Sequence, residues 1–124
     1  MAKNIGKRLI IKIGSSSLTN EKGELANEKI KQYVAEISAL KDQGHEVIIV
    51  TSGSIAAGFR RLGYKERPRT VAAKQAAAAV GQGLLIEEYT KLLFERGHIG
   101  AQILLTRSDL VDKRRYTNAY NTLE

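Results

Sequence analysis

Cysteine is absent from the sequence, which excludes disulfides and thiolate metal sites. Tryptophan is absent too, and phenylalanine occurs only twice, so any core must be built mainly from Ile, Leu, Val and Ala. No apolar run approaches the roughly 20 residues needed to span a bilayer. The stretch Met1 to Lys7 carries charge but no apolar core in front of a cleavage site, so no signal peptide is expected. These absences together set the expectation of a soluble, cytoplasmic chain without a membrane partner. The Gly-x-x-x-x-Gly-Lys-Ser/Thr phosphate loop and the His-Glu-x-x-His zinc helix are both missing. Gly81-Gln82-Gly83 lacks a third glycine and falls inside an expected helix, so the dinucleotide fingerprint fails as well.

What is present fits one small domain: 124 residues, 43% of them hydrophobic, an ordinary globular share. Acids are outnumbered, 13 against 20 Lys and Arg, for a net charge of +7. Such an excess serves nucleic acid, an anionic surface or a phosphorylated small molecule. Much of it is local. Arg60 to Arg69 holds five cations and one acid, and Lys113-Arg114-Arg115 forms a second cluster. The plain alternative is solvated loops and helix ends. No DNA- or RNA-reading signature accompanies the charge, and the aromatic residues form no stacking array.

Periodicity sets the expected elements. Lys7 to Ile13 reads as a strand covered on both faces, because Leu9, Ile10, Ile11 and Ile13 form a nearly continuous apolar run. Asn27 is the expected cap of a helix reaching about Gln43, with Ile30, Tyr33, Val34, Ile37 and Leu40 as its buried stripe. Glu46 to Thr51 is the second strand. Ile55 to Leu62 is expected as a short helix, and Thr70 as the cap of a long one ending near Arg96, before Gly97. Ile99 to Leu105 reads as a third strand, Arg107 to Lys113 as a polar turn and Arg114 to Glu124 as the start of a further helix. The order β-α-β-α-α-β-α argues for a mostly parallel sheet with helices on its faces.

In such sheets ligands bind beyond the carboxyl ends of the strands. Two glycine- and serine-bearing loops are expected there. Lys12-Ile13-Gly14-Ser15-Ser16-Ser17 puts a cation on the strand and small residues after it. Glycine allows close approach of backbone amides to a phosphate, serine adds donors, and a flexible ammonium tracks moving negative charge. Phosphoryl transfer needs this kind of positioning more than covalent help. A lysine in a buried apolar run needs an anionic partner or a path to the strand end; the alternative is an edge-strand lysine reaching water. Thr51-Ser52-Gly53-Ser54 leads from the second strand into a helix, whose free amides can receive a carboxylate or phosphate. Ordinary serine capping is the alternative there. His45 and His98 are lone histidines suited to surface or packing roles. Asp109 and Asp112 share one polar turn, where capping is their simplest use. No set of metal ligands is visible.

The stretch Ile11-Lys12-Ile13-Gly14-Ser15-Ser16 resembles the first-strand motif of the amino acid kinase family. Val50-Thr51-Ser52-Gly53-Ser54-Ile55-Ala56-Ala57-Gly58 is similar to the segment of those members that act on L-glutamate. Leu62-Gly63-Tyr64, Ala73-Lys74-Gln75-Ala76, Ala79-Val80-Gly81-Gln82 and Leu104-Leu105-Thr106-Arg107-Ser108-Asp109 also resemble them, in the same order. Ser54 departs from the usual Ala and adds a hydroxyl. The resemblance runs from about Leu9 to the last residue.

That resemblance implies a three-layer α/β/α sandwich with a mostly parallel sheet, incomplete in this chain, and a single kinase domain of which residues 1–124 are the N-terminal portion. It implies ATP-dependent phosphorylation of the glutamate side-chain carboxylate, the entry to proline biosynthesis, with Mg²⁺ accompanying ATP. By the same resemblance Lys12, Gly14 and Ser15 contact the ATP phosphates, with Lys12 catalytic, and Ser52, Gly53 and Ser54 hold glutamate. Members form dimers or tetramers, and some respond to proline as feedback inhibitor. The family's later Asn-Glu-Asn-Asp segment has no counterpart here, so the 124 residues alone are expected to be inactive. The alternatives are a sister kinase with another carboxylate or phosphate acceptor, a basic nucleic-acid-binding module, and a silent regulatory or assembly domain.

Overall fold

A computed structural model describes residues 6–124; the expectation about a signal peptide rests largely on positions 1–5, which lie outside the described residues. Two strands, β1 (Arg8–Ile13) and β2 (Glu46–Thr51), pair in parallel through a helix, α1 (Asn27–Asp42). Their register sets Arg8 opposite Glu46, Lys12 opposite Val50 and Ile13 opposite Thr51. An ion pair between Arg8 Nε and Glu46 Oε2 at 2.8 Å closes the amino end of the ladder. The boundaries of β2 are those its Val47–Val50 run predicts.

The expected full burial of β1 is not met. Exposure alternates along it, with Leu9, Ile11 and Ile13 turned toward the core and Ile10 69% exposed. Strand side chains alternate between faces, and among the described residues the buried cluster covers one face of this sheet. On that face Ile13, Leu18, Ile30, Val34, Ile37, Leu85, Tyr89 and Leu92 form one buried cluster, with Ile11, Val47 and Ile49 packed against it. Ile10, Lys12 and Val50 lie on the open face. The class is α/β, as expected, with α1 and the long helix that follows packed on one side of the sheet, while Glu124 at the end of the described chain pairs with Arg8 at 3.1 Å.

Helix α1 buries Ile30, Val34 and Ile37 at helical spacing. Its cap is Ala26 rather than Asn27, which is already helical. The Ala26 amide donates to the Leu18 carbonyl at 2.7 Å, which ties the helix entrance to the loop after β1, and the Ala26 carbonyl accepts from the Lys29 amide at 3.0 Å. The short helix α2 spans Ser54–Gly58 and stops earlier than its apolar pattern predicts. Beyond it the chain winds through a turn in which the Leu62 amide donates to Gly58 and the Gly63 amide to Arg60. The long helix α3 runs Val71–Glu95, with the Thr70 side chain accepting from the Ala73 amide as predicted. Its alanine-rich half packs closely on α2: a Cβ added at Gly81 would overlap the Ser54 carbonyl oxygen, and one at Gly58 would meet the Gly81 nitrogen at 2.6 Å.

Ile99 to Leu105 forms no strand among the described residues. Ile99 is 92% exposed and Leu104 69%, while Gly100 rests near Leu93 and Thr90 of α3. Apolar patterning states what a segment can bury; a strand also needs a neighbour with free backbone groups in register. The expected polar turn at Arg107 to Lys113 instead contains a one-turn helix, α4 (Arg107–Val111), started by a capping box in which Thr106 and Asp109 bond reciprocally. Helix α5 (Lys113–Leu123) follows, with the Asp112 side chain accepting from the Arg115 amide.

Candidate functional site

Parallel pairing brings the carboxyl ends of β1 and β2 side by side, about 4.8 Å apart. The ladder runs one bond beyond β2, from the Ser52 amide to the Ile13 carbonyl at 2.9 Å. The loops Gly14–Ser17 and Ser52–Ser54 therefore leave the same end of the sheet as neighbours. Such an end, with backbone amides released from pairing, is where an open parallel sheet receives ligands.

The first loop is a single 3₁₀ turn over Ser15–Ser17, entered through extended Gly14. The Ser17 amide donates to the Gly14 carbonyl at 3.1 Å and the Leu18 amide to Ser15 at 3.0 Å. Leu18 is wholly buried and anchors the turn from below. Gly14 and Ser15 are half-buried and Ser16 is exposed. Lys12 stands on the open face of β1 and makes no ion pair among the described residues. The premise of a buried lysine in search of an anion is thus corrected: Lys12 is exposed, and among the described residues the only ion pairs on that face are those of Arg8 with Glu46 and with Glu124. Lys12 is also unclaimed, two residues from the loop.

The second loop turns on Gly53, at φ 114°. L-residues with a side chain rarely adopt that conformation, and a Cβ there would also press on Leu18 Cδ1 at 3.2 Å. Gly53 is buried, Ser54 half-buried and Ser52 exposed. Leu18 thus lies beneath both loops and fixes their spacing.

Tyr89 of α3 adds a constraint that sequence reasoning missed. Its hydroxyl lies 2.9 Å from Thr51 Oγ1, and Thr51 Oγ1 donates to the Ser52 carbonyl at 2.9 Å. Thr51 has one hydroxyl proton, spent on Ser52, so Tyr89 is the donor to Thr51. Burial pushes the Tyr89 phenol above its ordinary value, and the group stays protonated for this role at neutral pH. The relay runs from the core of α3 to the backbone of the second loop. The pattern shows Tyr89 only as one apolar position in a helical stripe.

Other candidates fall elsewhere. His45 Nδ1 accepts from the Lys7 amide at 3.0 Å, and His98 lies 3.1 Å from Asp42 where α1 and α3 end. Asp109 is held below the usual carboxylate range by the Thr106 backbone and hydroxyl bonds. No group of three His, Cys, Asp or Glu residues that could hold a metal occurs among the described residues. None of their helices is long and apolar enough to cross a membrane.

Residues 7–124 match the model of the amino acid kinase family. The chain belongs to the amino acid kinase family. Among its relatives in that family it is 52% identical over 117 residues to glutamate 5-kinase 2 of Bacillus licheniformis, covering 94% of this chain and 31% of that protein. It is 56% identical over 117 residues to the glutamate 5-kinases of Streptococcus pneumoniae D39 and Streptococcus sanguinis SK36, covering 94% of this chain and 32% of each. The chain therefore spans about a third of the length of the curated relatives it matches.

Proposed function

We propose that these residues form the loop-bearing part of a kinase that transfers the γ-phosphoryl group of ATP to the side-chain carboxylate of L-glutamate, giving γ-glutamyl phosphate and ADP. In this reading the protein is cytoplasmic and its product enters proline biosynthesis. The observation that carries it is the placing of two loops of different character on adjacent strand ends, in a chain over half identical to proteins named glutamate 5-kinase. Lys12, Gly14 and Ser15 serve the ATP phosphates; Ser52, Gly53 and Ser54 hold glutamate.

The chemistry explains why such a site needs few reactive groups. A glutamate carboxylate, with an ordinary pKa of about 4.3, is ionised at neutral pH. Its oxygen can attack the γ-phosphorus without a general base. As the new O–P bond forms, the bond to the β-phosphate oxygen breaks and its electron pair leaves with ADP. The obstacle is repulsion between two anions and charge shifting onto the leaving phosphate. Fixed donors and a mobile cation reduce both. Lys12, exposed and without an ion pair among the described residues, can follow that charge. The Tyr89–Thr51 relay holds the Ser52 carbonyl and so sets the loop that receives the acceptor.

Mg²⁺ accompanies ATP in this reading, but the described residues offer no acidic cluster to hold it, and none of the steps above passes through it. Full-length assembly as a dimer or tetramer and a response to proline belong to the same proposal. So does the inactivity of these 124 residues alone, which have no counterpart of the family's later Asn-Glu-Asn-Asp segment.

A chimera tests the acceptor role: the matching 117 residues of the S. pneumoniae enzyme are replaced with those of this chain, and steady-state kinetics are measured. Ser52→Ala is expected to raise KM for glutamate about tenfold, equivalent to one lost hydrogen bond to a charged group, with KM for ATP within twofold. Equal rises in both would remove Ser52 from the glutamate side.

A further inference from the structure

The basic run after α2 takes no part in the site described above. The structure gives it a specific form: a cleft of about 530 Å³ lined by Ile55, Glu66, Arg67, Pro68, Arg69 and Lys74. That volume lies within the range of small-molecule sites. Three cations face one acid across it. Arg60, from the same run, is paired with Glu24 at 3.3 Å, but Arg67, Arg69 and Lys74 make no ion pair among the described residues. The cleft therefore carries an uncompensated charge of +2.

Its frame is stiff. Pro68 is buried, its ring fixes φ, and it restrains Arg67 before it to extended backbone. Lys74 lies on the first turn of α3. Ile55 belongs to α2, which the Gly58–Gly81 approach locks against α3. The two arginines are thus presented from a pinned segment, so little loop entropy is lost when they engage a ligand. Guanidinium groups pair with phosphate oxygens through two parallel bonds, and an ammonium adds a point charge. No aromatic side chain lines the cleft for a base to stack on, which disfavours single-stranded nucleic acid.

We infer that this cleft is a second anion site, one that binds a small polyphosphate of at least two linked phosphoryl groups, free or carried on a nucleotide. It shares no lining residue with the loops Gly14–Ser17 and Ser52–Ser54 and does not depend on the kinase assignment. Ile55 directly follows Ser54, so its occupant bears on the helix that leaves the second loop.

The test is a titration of this chain with pyrophosphate, tripolyphosphate and ADP, followed by amide NMR shifts and calorimetry. Saturable shifts at Ile55, Arg67, Arg69 and Lys74 that persist in Lys12→Ala are expected. Arg67→Gln with Arg69→Gln should weaken binding at least tenfold, and Lys74→Gln alone about threefold, which keeps the test open if the double variant folds poorly. ADP and pyrophosphate binding equally would mean a free polyphosphate ligand; tighter ADP would mean a nucleotide. Shifts confined to Lys12–Ser17 and lost in Lys12→Ala, no saturable binding, or an RNA oligomer outcompeting pyrophosphate at these residues would each overturn the inference. Loss of kinase activity in the chimera would leave it standing.

Discussion

At the scale of single residues, Tyr89 is the sharpest case. Its ring belongs to the core while its hydroxyl is spent 38 positions away on Thr51. Tyr89→Phe keeps the ring and removes the donor, and should cost about 1 kcal/mol, read as a lower thermal midpoint. Faster amide exchange at Ser52 and Gly53 should accompany it; unchanged exchange there would deny the relay. The pH dependence has a definite sign. The folded phenol lies above its ordinary value of about 10, so its contribution is whole below that pH and is lost as pH rises through the folded value. The placement of Lys12, Gly14, Ser15 and Ser52–Ser54 at the carboxyl ends of the two strands was legible in sequence because each lies at or near the end of an apolar run, where local identity suffices. The Tyr89–Thr51 pairing could not, because nothing local to either residue announces a partner on another element. Lys12 was misjudged in burial for a related reason: a strand's own residues do not state whether both faces are covered.

At the scale of elements, the close contact of α2 with α3 carries the second loop. Gly81→Ala would drive a methyl group into the Ser54 carbonyl. Backbone cannot yield there as a flexible side chain can, so a loss of about 3 kcal/mol is expected, visible in denaturant unfolding of the chain. A variant as stable as the parent would mean that the two helices are not in contact in solution. The strands, α1 and α3 were legible from apolar spacing and from end signals such as Thr70. Helix α4 was missed because it has no buried residue and so no stripe; the Thr106–Asp109 spacing is the signal that marks it. Ile99–Leu105 has the composition of a strand but no pairing partner among the described residues, and composition alone does not supply one.

At the scale of the whole molecule, the described residues leave Ile10, Val50, Ile99, Leu104 and Val111 exposed, and the chain matches about a third of each curated relative. A sheet of two strands with one open face is marginal by itself, which accords with a kinase site completed by further chain in the proposed protein. The most direct measurement is γ-glutamyl phosphate formation by the S. pneumoniae chimera, trapped with hydroxylamine as the hydroxamate and followed with ATP and L-glutamate. The chimera should form hydroxamate only when both substrates are present, the 124-residue chain alone should form none, and Lys12→Ala in the chimera should lower turnover at least a hundredfold, about 2.7 kcal/mol, with its circular dichroism unchanged. A Lys12→Ala chimera that turns over at the parent rate would contradict the assignment of the β1 loop to phosphoryl transfer.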